Sequence, residues 1–153
     1  MNSKKLAELS EIESIIHKST YCTVGMIDEN GLPYVLPMNF GYADQTLYLH
    51  CGSKGKKINA FRKNKQVCVN FCTNTELHYR DVEIACSYSM KYRSAVLYGS
   101  VEFIEDLEEK ERCLRIIMQQ YTIESVRFSV PALKNVCVIK VPAERLEGRA
   151  LGY

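Results

Sequence analysis

The chain has 153 residues, of which 46% are hydrophobic and 25% charged, and its formal net charge is +2. That is the size of a single domain able to bury roughly two-thirds of its unfolded surface without disulfide or metal staples. The balance excludes a disordered or fibrous chain, no apolar run has the length of a transmembrane span, and so small a positive charge argues against a dedicated nucleic-acid binder.

The opening Met1-Asn2-Ser3-Lys4-Lys5 leads into an amphipathic pattern rather than a signal-peptide core, so a cytoplasmic protein is expected. Leu6, Leu9, Ile12 and Ile16 predict a helix over 4–17. Tyr21 to Ile27 is rich in β-formers and predicts a strand. Asp28-Glu29-Asn30-Gly31 then predicts a hairpin turn, because Asn-Gly supplies the positive φ angles such turns need. Pro33 to Phe40 is the return strand, with Tyr34, Leu36, Met38 and Phe40 on one face and Val35, Pro37 and Asn39 on the other. After a second turn over 41–45, Thr46 to Cys51 forms a third strand. Leu47, Leu49 and Cys51 share one side of it; Tyr48 and His50 share the other.

A short basic helix over 54–64 follows, with Ile58 and Phe61 as its apolar contacts, and then a fourth strand over 66–73 with Val67, Val69 and Phe71 facing inward. Residues 74–81 are polar and read as a loop. Residues 83–104 supply up to two strands, the second from Tyr92 to Ile104. Asp106 and Glu109 have capping-box spacing for a helix reaching Tyr121, with Leu107, Leu114, Ile117, Met118 and Tyr121 as its buried stripe. Val136 to Val141 is the closing strand, and residues 142–153 read as a tail. Strands joined by tight turns and interrupted by a few helices predict an α+β fold: a six- or seven-stranded antiparallel split β-barrel with flanking helices, one domain over 1–153.

The charge is unevenly placed. Lys54, Lys56, Lys57, Arg62, Lys63 and Lys65 fall within thirteen residues, and no Asp or Glu occurs between Asp44 and Glu76. Gly52-Ser53-Lys54-Gly55 precedes the basic helix, where free N–H groups, a hydroxyl and ammonium groups can converge on an anion such as a phosphate. The alternative is a solvated basic helix. His50, at the end of the preceding strand, either donates to that anion and borders a pocket or is a hydrogen-bonded histidine at a barrel end. Arg93 and Ser94 interrupt an otherwise apolar strand, which suits a lined pocket or interface as well as a solvent-facing edge. Seven cysteines with no export signal read as reduced thiols, mostly small core residues. Cys68 and Cys72 lie about 13 Å apart along a strand, too far for a disulfide or one zinc ion.

Pro37-Met38-Asn39-Phe40, Leu47-Tyr48-Leu49-His50-Cys51, Gly55-Lys56-Lys57 and Val67-Cys68-Val69-Asn70-Phe71, in that order, resemble the pyridoxamine 5′-phosphate oxidase-like superfamily of flavin-binding split barrels. The nitroimidazole-resistance branch is the most similar, and Tyr92-Arg93-Ser94-Ala95 through Gly99 resembles its Tyr-Arg-Ser-Val strand. The resemblance spans roughly residues 5–150. It implies a homodimer with FMN in each of two grooves between subunits. Carried over position by position, it implies flavin contacts at Leu36, Pro37, Met38 and Asn39 beside the ring, and at His50 and Cys51 near the ribityl chain and phosphate. Ser53, Lys54 and Lys57 fall in the phosphate loop, with the choice among Lys54, Lys56 and Lys57 open. Ser94 is a further polar contact, and Arg149 a weakly aligned basic one from the partner subunit.

The activity implied is a reductase or oxidase that passes electrons from NADH or NADPH through FMN to a small nitroaromatic or quinone-like acceptor, with no catalytic side chain and no metal. The pyridoxamine-phosphate oxidases carry a C-terminal Arg-x-His pattern; here Arg145-Leu146-Glu147 has Glu in place of His, which argues against vitamin B6 oxidation. A non-catalytic flavin or haem protein, a deazaflavin binder and, from another class, a nucleic-acid-binding module are the rival expectations.

Overall fold

The computed structural model describes residues 2–153. Ten strands form two antiparallel sheets among these residues. The first sheet has the order β1 (Ser3–Leu6), β10 (Arg145–Leu151), β7 (Ser89–Ser100), β6 (Gln66–His78), β2 (Cys22–Ile27), β3 (Pro33–Met38). The second has the order β4 (Phe40–Ala43), β5 (Thr46–Gly52), β9 (Val136–Pro142), β8 (Glu102–Ile104). This is the expected α+β split barrel.

The chain passes between sheets at two corners, and the corners raise the strand count above six or seven. At Asn39 the predicted single strand divides, leaving β3 in one sheet and β4 in the other. The Phe40 N–H donates to the Tyr121 hydroxyl at 2.9 Å rather than to a neighbouring strand, so a side chain holds this bend. At Val101 the long strand β7 gives way to β8, and the Val101 N–H donates to the Lys65 carbonyl at 2.8 Å. Both chain ends add further strands. Residues 3–6 pair with β10 instead of starting the first helix, and Arg145–Leu151, expected as tail, lies between β1 and β7. Residues 74–78 extend β6 past a register shift between Thr73 and Glu76.

The hairpin after β2 forms at the expected residues, but Asn30 does not supply a positive φ angle. Among Asp28, Glu29, Asn30 and Gly31 only Gly31 has positive φ (79°). The Asp28 N–H donates to the Leu32 carbonyl at 2.8 Å, giving the three-residue loop in which a glycine supplies the left-handed position. The two-residue turn with two left-handed residues stands between β4 and β5 instead, at Asp44 (φ 48°) and Gln45 (φ 53°).

Among the described residues four α-helices flank the barrel: α1 (Leu9–Lys18), α2 (Lys56–Lys63), α3 (Leu107–Gln119) and α4 (Val130–Asn135). The main core lies between the sheets and includes Val24, Phe40, Leu47, Leu49, Phe61, Val69, Phe71, Leu97 and Ile139. Phe40 and Phe71, from opposite sheets, meet edge to face with centroids 5.0 Å apart. Burying each such ring contributes about 1.5–3 kcal/mol. Ile12, Ile15 and Ile16 of α1 join this core, whereas Leu9, in the predicted stripe, is exposed at the helix start.

A smaller cluster under α3 holds Ile104, Cys113, Leu114, Ile117, Leu133 and Val138. The Asp106 carboxylate caps α3 by accepting from the Glu109 N–H at 2.9 Å. Met118 and Tyr121 are only partly covered, while the buried stripe includes Lys110, whose ammonium group donates to the Val136 carbonyl at 3.0 Å. Gly41 in β4 is where α3 comes nearest: a Cβ there would lie 2.7 Å from the backbone of Ile116 and Ile117.

The cysteines are less buried than expected. Cys22 and Cys113 are core residues, Cys51 and Cys137 are half-buried, and Cys68, Cys72 and Cys86 are exposed. Cys68 and Cys72 occupy the outer positions of β6, because Val67, Val69 and Phe71 take the inner ones.

Candidate functional site

The corner at Asn39 and the end of β5 come together at one cleft of about 580 Å³. Pro37, Met38 and Asn39 form one wall, His50, Cys51 and Gly52 a second, Lys57 of α2 a third, and Ala132, Asn135 and Val136 from α4 and the start of β9 close the remaining side. Six of the ten expected contacts, Pro37, Met38, Asn39, His50, Cys51 and Lys57, are therefore neighbours around one space.

The other four do not line it. Leu36 faces the opposite side of β3 from Pro37, and its side chain packs on the core. Ser53 and Lys54 are exposed in the bend before α2. Ser94 lies in β7, opposite Cys72 of β6 and Arg149 of β10.

The three candidate lysines are separated by helix geometry. Lys56 and Lys57 are the first two residues of α2, and successive helix residues point about 100° apart. Lys56 turns to the β2–β3 hairpin: its Nζ lies 3.0 Å from Asp28 Oδ2 and 4.5 Å from the centre of the Tyr34 ring. Asp28 also accepts the N–H groups of Asn30 and Leu32, each at 2.9 Å, and these bonds, with the Lys56 ammonium, hold its carboxyl below the ordinary carboxylate range. Lys57 takes the other direction and lines the cleft. The helix begins at Gly55, whose φ of 112° lies in the region that favours glycine. No acidic residue occupies the first turn of α2, so the positive end of its dipole is not offset locally.

His50 carries the site's unsatisfied polar atom. Its Nδ1 is buried and has no hydrogen-bond partner in the protein. A buried polar atom left unpaired costs about 1–3 kcal/mol, so one on a residue that lines a cleft points to a ligand group there. Burial, and secondarily the Lys57 charge, lower the His50 pKa from its ordinary value of 6.5, which favours the neutral ring at neutral pH.

Beneath His50, Cys51 of β5 is the cross-strand partner of Cys137 of β9. The neighbouring Cys137 thiol, with help from Lys57, holds the Cys51 thiol below its ordinary value against the effect of burial, and the Cys137 thiol is pushed up in turn.

The lining from α4 has no counterpart among the expected site residues, because no hydrophobic period marks an element over 122–135. The signal was present in Ser129-Val130-Pro131: a capping hydroxyl followed by proline in the first turn. In the structure the Ser129 hydroxyl accepts from the Ala132 N–H at 3.4 Å. The buried Lys110, through the Val136 carbonyl, pins the junction from α4 to β9 that brings Asn135 and Val136 to the cleft.

Residues 8–150 match the family model described as pyridoxamine 5′-phosphate oxidase. The chain belongs to this family. Among solved structures, it is similar to a candidate 5-nitroimidazole antibiotic resistance protein from Bacteroides thetaiotaomicron, with 45% identity over 97% of this chain and 87% of that one and a TM-score of 0.88. It shares its fold with a flavocytochrome from Azotobacter vinelandii, at 18% identity, a TM-score of 0.83 and coverage of 97% and 70%. It shares it equally with an FAD- and heme-binding protein from Mycobacterium smegmatis, at 17% identity, a TM-score of 0.83 and coverage of 98% and 74%. None of the curated proteins matches the chain. No helix among the described residues is long and apolar enough to cross a membrane.

Proposed function

We propose that this member of the family binds FMN in the Asn39–His50–Lys57 cleft and acts as an oxidoreductase on small molecules. The observation that carries the reading is that His50, whose buried Nδ1 has no partner in the protein, lines the same cleft as Lys57. A phosphate there can accept from the Lys57 ammonium group and from an imidazole N–H. Pro37 and Met38 offer an apolar wall to a flat ring. The exposed Asn39 amide can donate and accept at a pyrimidine edge. Bound FMN supplies the two-electron chemistry; the protein's own part is to hold the phosphate, orient the ring and limit water.

The 45%-identical relative, a candidate 5-nitroimidazole resistance protein, favours a nitroaromatic or quinone-like electron acceptor, with NADH or NADPH as donor. The C-terminal strand supports the case against vitamin B6 oxidation. Arg145 lies over the Tyr98 ring at 3.9 Å and 3.5 Å from the Glu147 carboxylate, which fills the position of the expected His. A homodimer with the flavin between subunits is part of the reading. Leu32 and Val35 on the edge hairpin, and Leu77, Val82, Ile84 and Met90 around the β6–β7 arm, are large exposed apolar side chains. A second copy would cover such surface and complete the open side of the cleft.

The basic helix gives little support to a nucleic-acid partner. Lys56 is paired with Asp28, Lys63 donates to the Glu29 carbonyl, and the Arg62 guanidinium lies 5.9 Å from the Phe103 ring centre. A haem reading is favoured by one observation, the free imidazole nitrogen of His50. The visible spectrum of protein purified from cells separates the readings. A yellow preparation that releases FMN on denaturation is expected. A Soret band would assign haem instead, and a colourless protein that takes up no added FMN would overturn both.

A further inference from the structure

Among the seven cysteines, Cys51 and Cys137 meet directly. They are directly opposed residues on β5 and β9, and each thiol is the first influence on the other's proton affinity. Directly opposed antiparallel residues have Cα atoms about 4.5–5.5 Å apart, inside the range of about 4.4–6.8 Å that a disulfide spans. Both thiols are free and half-buried. Cys51 lines the cleft, so a small reactant reaches it from solvent, while Cys137 is not part of the lining. The pair lies next to the end of the β5–β9 ladder, with only the Gly52–Val136 pair beyond. The space around Gly52 is open, since a Cβ built there meets nothing within 4 Å. The strand end therefore has room for the small shift that bridging two strands requires.

We propose that Cys51 and Cys137 are a thiol–disulfide couple that reacts with low-molecular-weight disulfides entering the cleft. The Cys51 thiolate attacks one sulfur of a small disulfide RSSR, forming a mixed disulfide and expelling RS⁻. Cys137 then gives up its proton and attacks the Cys51 sulfur, closing the Cys51–Cys137 bond and expelling the second RS⁻. Both leaving thiolates take up the two protons that the cysteines lost, so two protein thiols and RSSR become one protein disulfide and two RSH. Cys51, which lines the cleft, is the attacking partner, and Cys137, outside the lining, the resolving one. The disulfide enters the cleft proposed for FMN, so the couple reacts in the flavin-free chain; the exchange itself needs no flavin, and its failure would leave the FMN reading standing.

The test uses the full chain with the three exposed thiols removed (C68S/C72S/C86S), incubated anaerobically in glutathione buffers of graded potential. Free thiols are then alkylated and the digested peptides are identified by mass spectrometry. The expected result is the loss of two alkylatable thiols per chain, a peptide cross-link joining Cys51 to Cys137, and full recovery with dithiothreitol. Adding Cys137→Ser, or Cys137→Ala should the serine variant fold poorly, is expected to trap one glutathione on Cys51. Adding Cys51→Ser is expected to abolish both the link and the adduct. Cys51 remaining alkylatable at every potential would overturn the proposal, and so would a link from Cys51 to Cys22 or a Cys137 variant with no adduct.

Discussion

Lys56 Nζ stands 3.0 Å from Asp28 Oδ2, and this pairing commits the first lysine of α2 to the hairpin while its sequence neighbour Lys57 faces the cleft. Two adjacent identical side chains therefore have different tasks. Lys57→Ala should weaken FMN about 10- to 100-fold, the loss of one charge-assisted hydrogen bond of about 1.5–3 kcal/mol. Riboflavin, which lacks the phosphate, should lose far less. Lys56→Ala should lower the melting temperature and leave the ratio of FMN to riboflavin affinity unchanged. Equal losses of both ligands in Lys57→Ala would remove that residue from phosphate binding. Fluorescence titration measures both.

The His50 shift predicts a pH dependence of stability. Its pKa in the folded chain lies below the ordinary 6.5 because burial, and then Lys57, oppose the charged ring. Between those two values the unfolded chain binds more protons than the folded one. The folded state therefore loses stability as pH falls from 6.5 towards the folded pKa. Urea midpoints of the flavin-free protein across this range should decline with falling pH, and His50→Gln should flatten that part of the profile. A profile identical in the two proteins would count against the shift.

The β4–β5 turn carries strain that glycine would relieve. Asp44 and Gln45 both have left-handed φ angles, and a side chain at such a position costs about 1–2 kcal/mol, partly offset for glycine by its greater entropy when unfolded. The Gln45 carbonyl accepts from the Ala143 N–H at 2.9 Å, a backbone bond that glycine retains. Gln45→Gly should raise stability by about 0.5–1 kcal/mol, seen as a higher melting temperature with unchanged flavin affinity. A lower melting temperature would contradict the turn geometry.

Gly41→Ala should destabilise the chain by about 1–3 kcal/mol, because the new methyl meets rigid helix backbone that cannot swing aside. Gly52→Ala, with nothing within 4 Å, serves as the control and should change stability by only a few tenths of a kcal/mol in chemical denaturation. Similar losses in the two variants would contradict the close approach of α3 to β4.

The alternation of side chains made much of the barrel legible. Val67, Val69 and Phe71, like Leu47 and Leu49, are buried where a two-residue period places them. What that period cannot mark is a strand that changes sheets. Residues 33–40 keep one unbroken alternation through Asn39, since Met38 and Phe40 both face the core although their strands belong to different sheets. The terminal strands were hidden for another reason: Lys4-Lys5 and Arg145 through Arg149 are polar or mixed, and they join the sheet through backbone pairing with β10 and β7. Helix α4 is one and a half turns long, too short for a period to register; only its serine cap and proline announce it.

By itself, the sequence determined the inward residues, the charge concentrated after β5 and the order of motifs that marks the family, because these are properties of neighbours along the chain. Only the tertiary structure decided that Lys57 rather than Lys54 or Lys56 lines the cleft, that His50 keeps a buried nitrogen unpaired, and that Cys51 stands opposite Cys137. Each of those depends on the direction of a side chain relative to an element distant in sequence, which is fixed when helix and strands pack together.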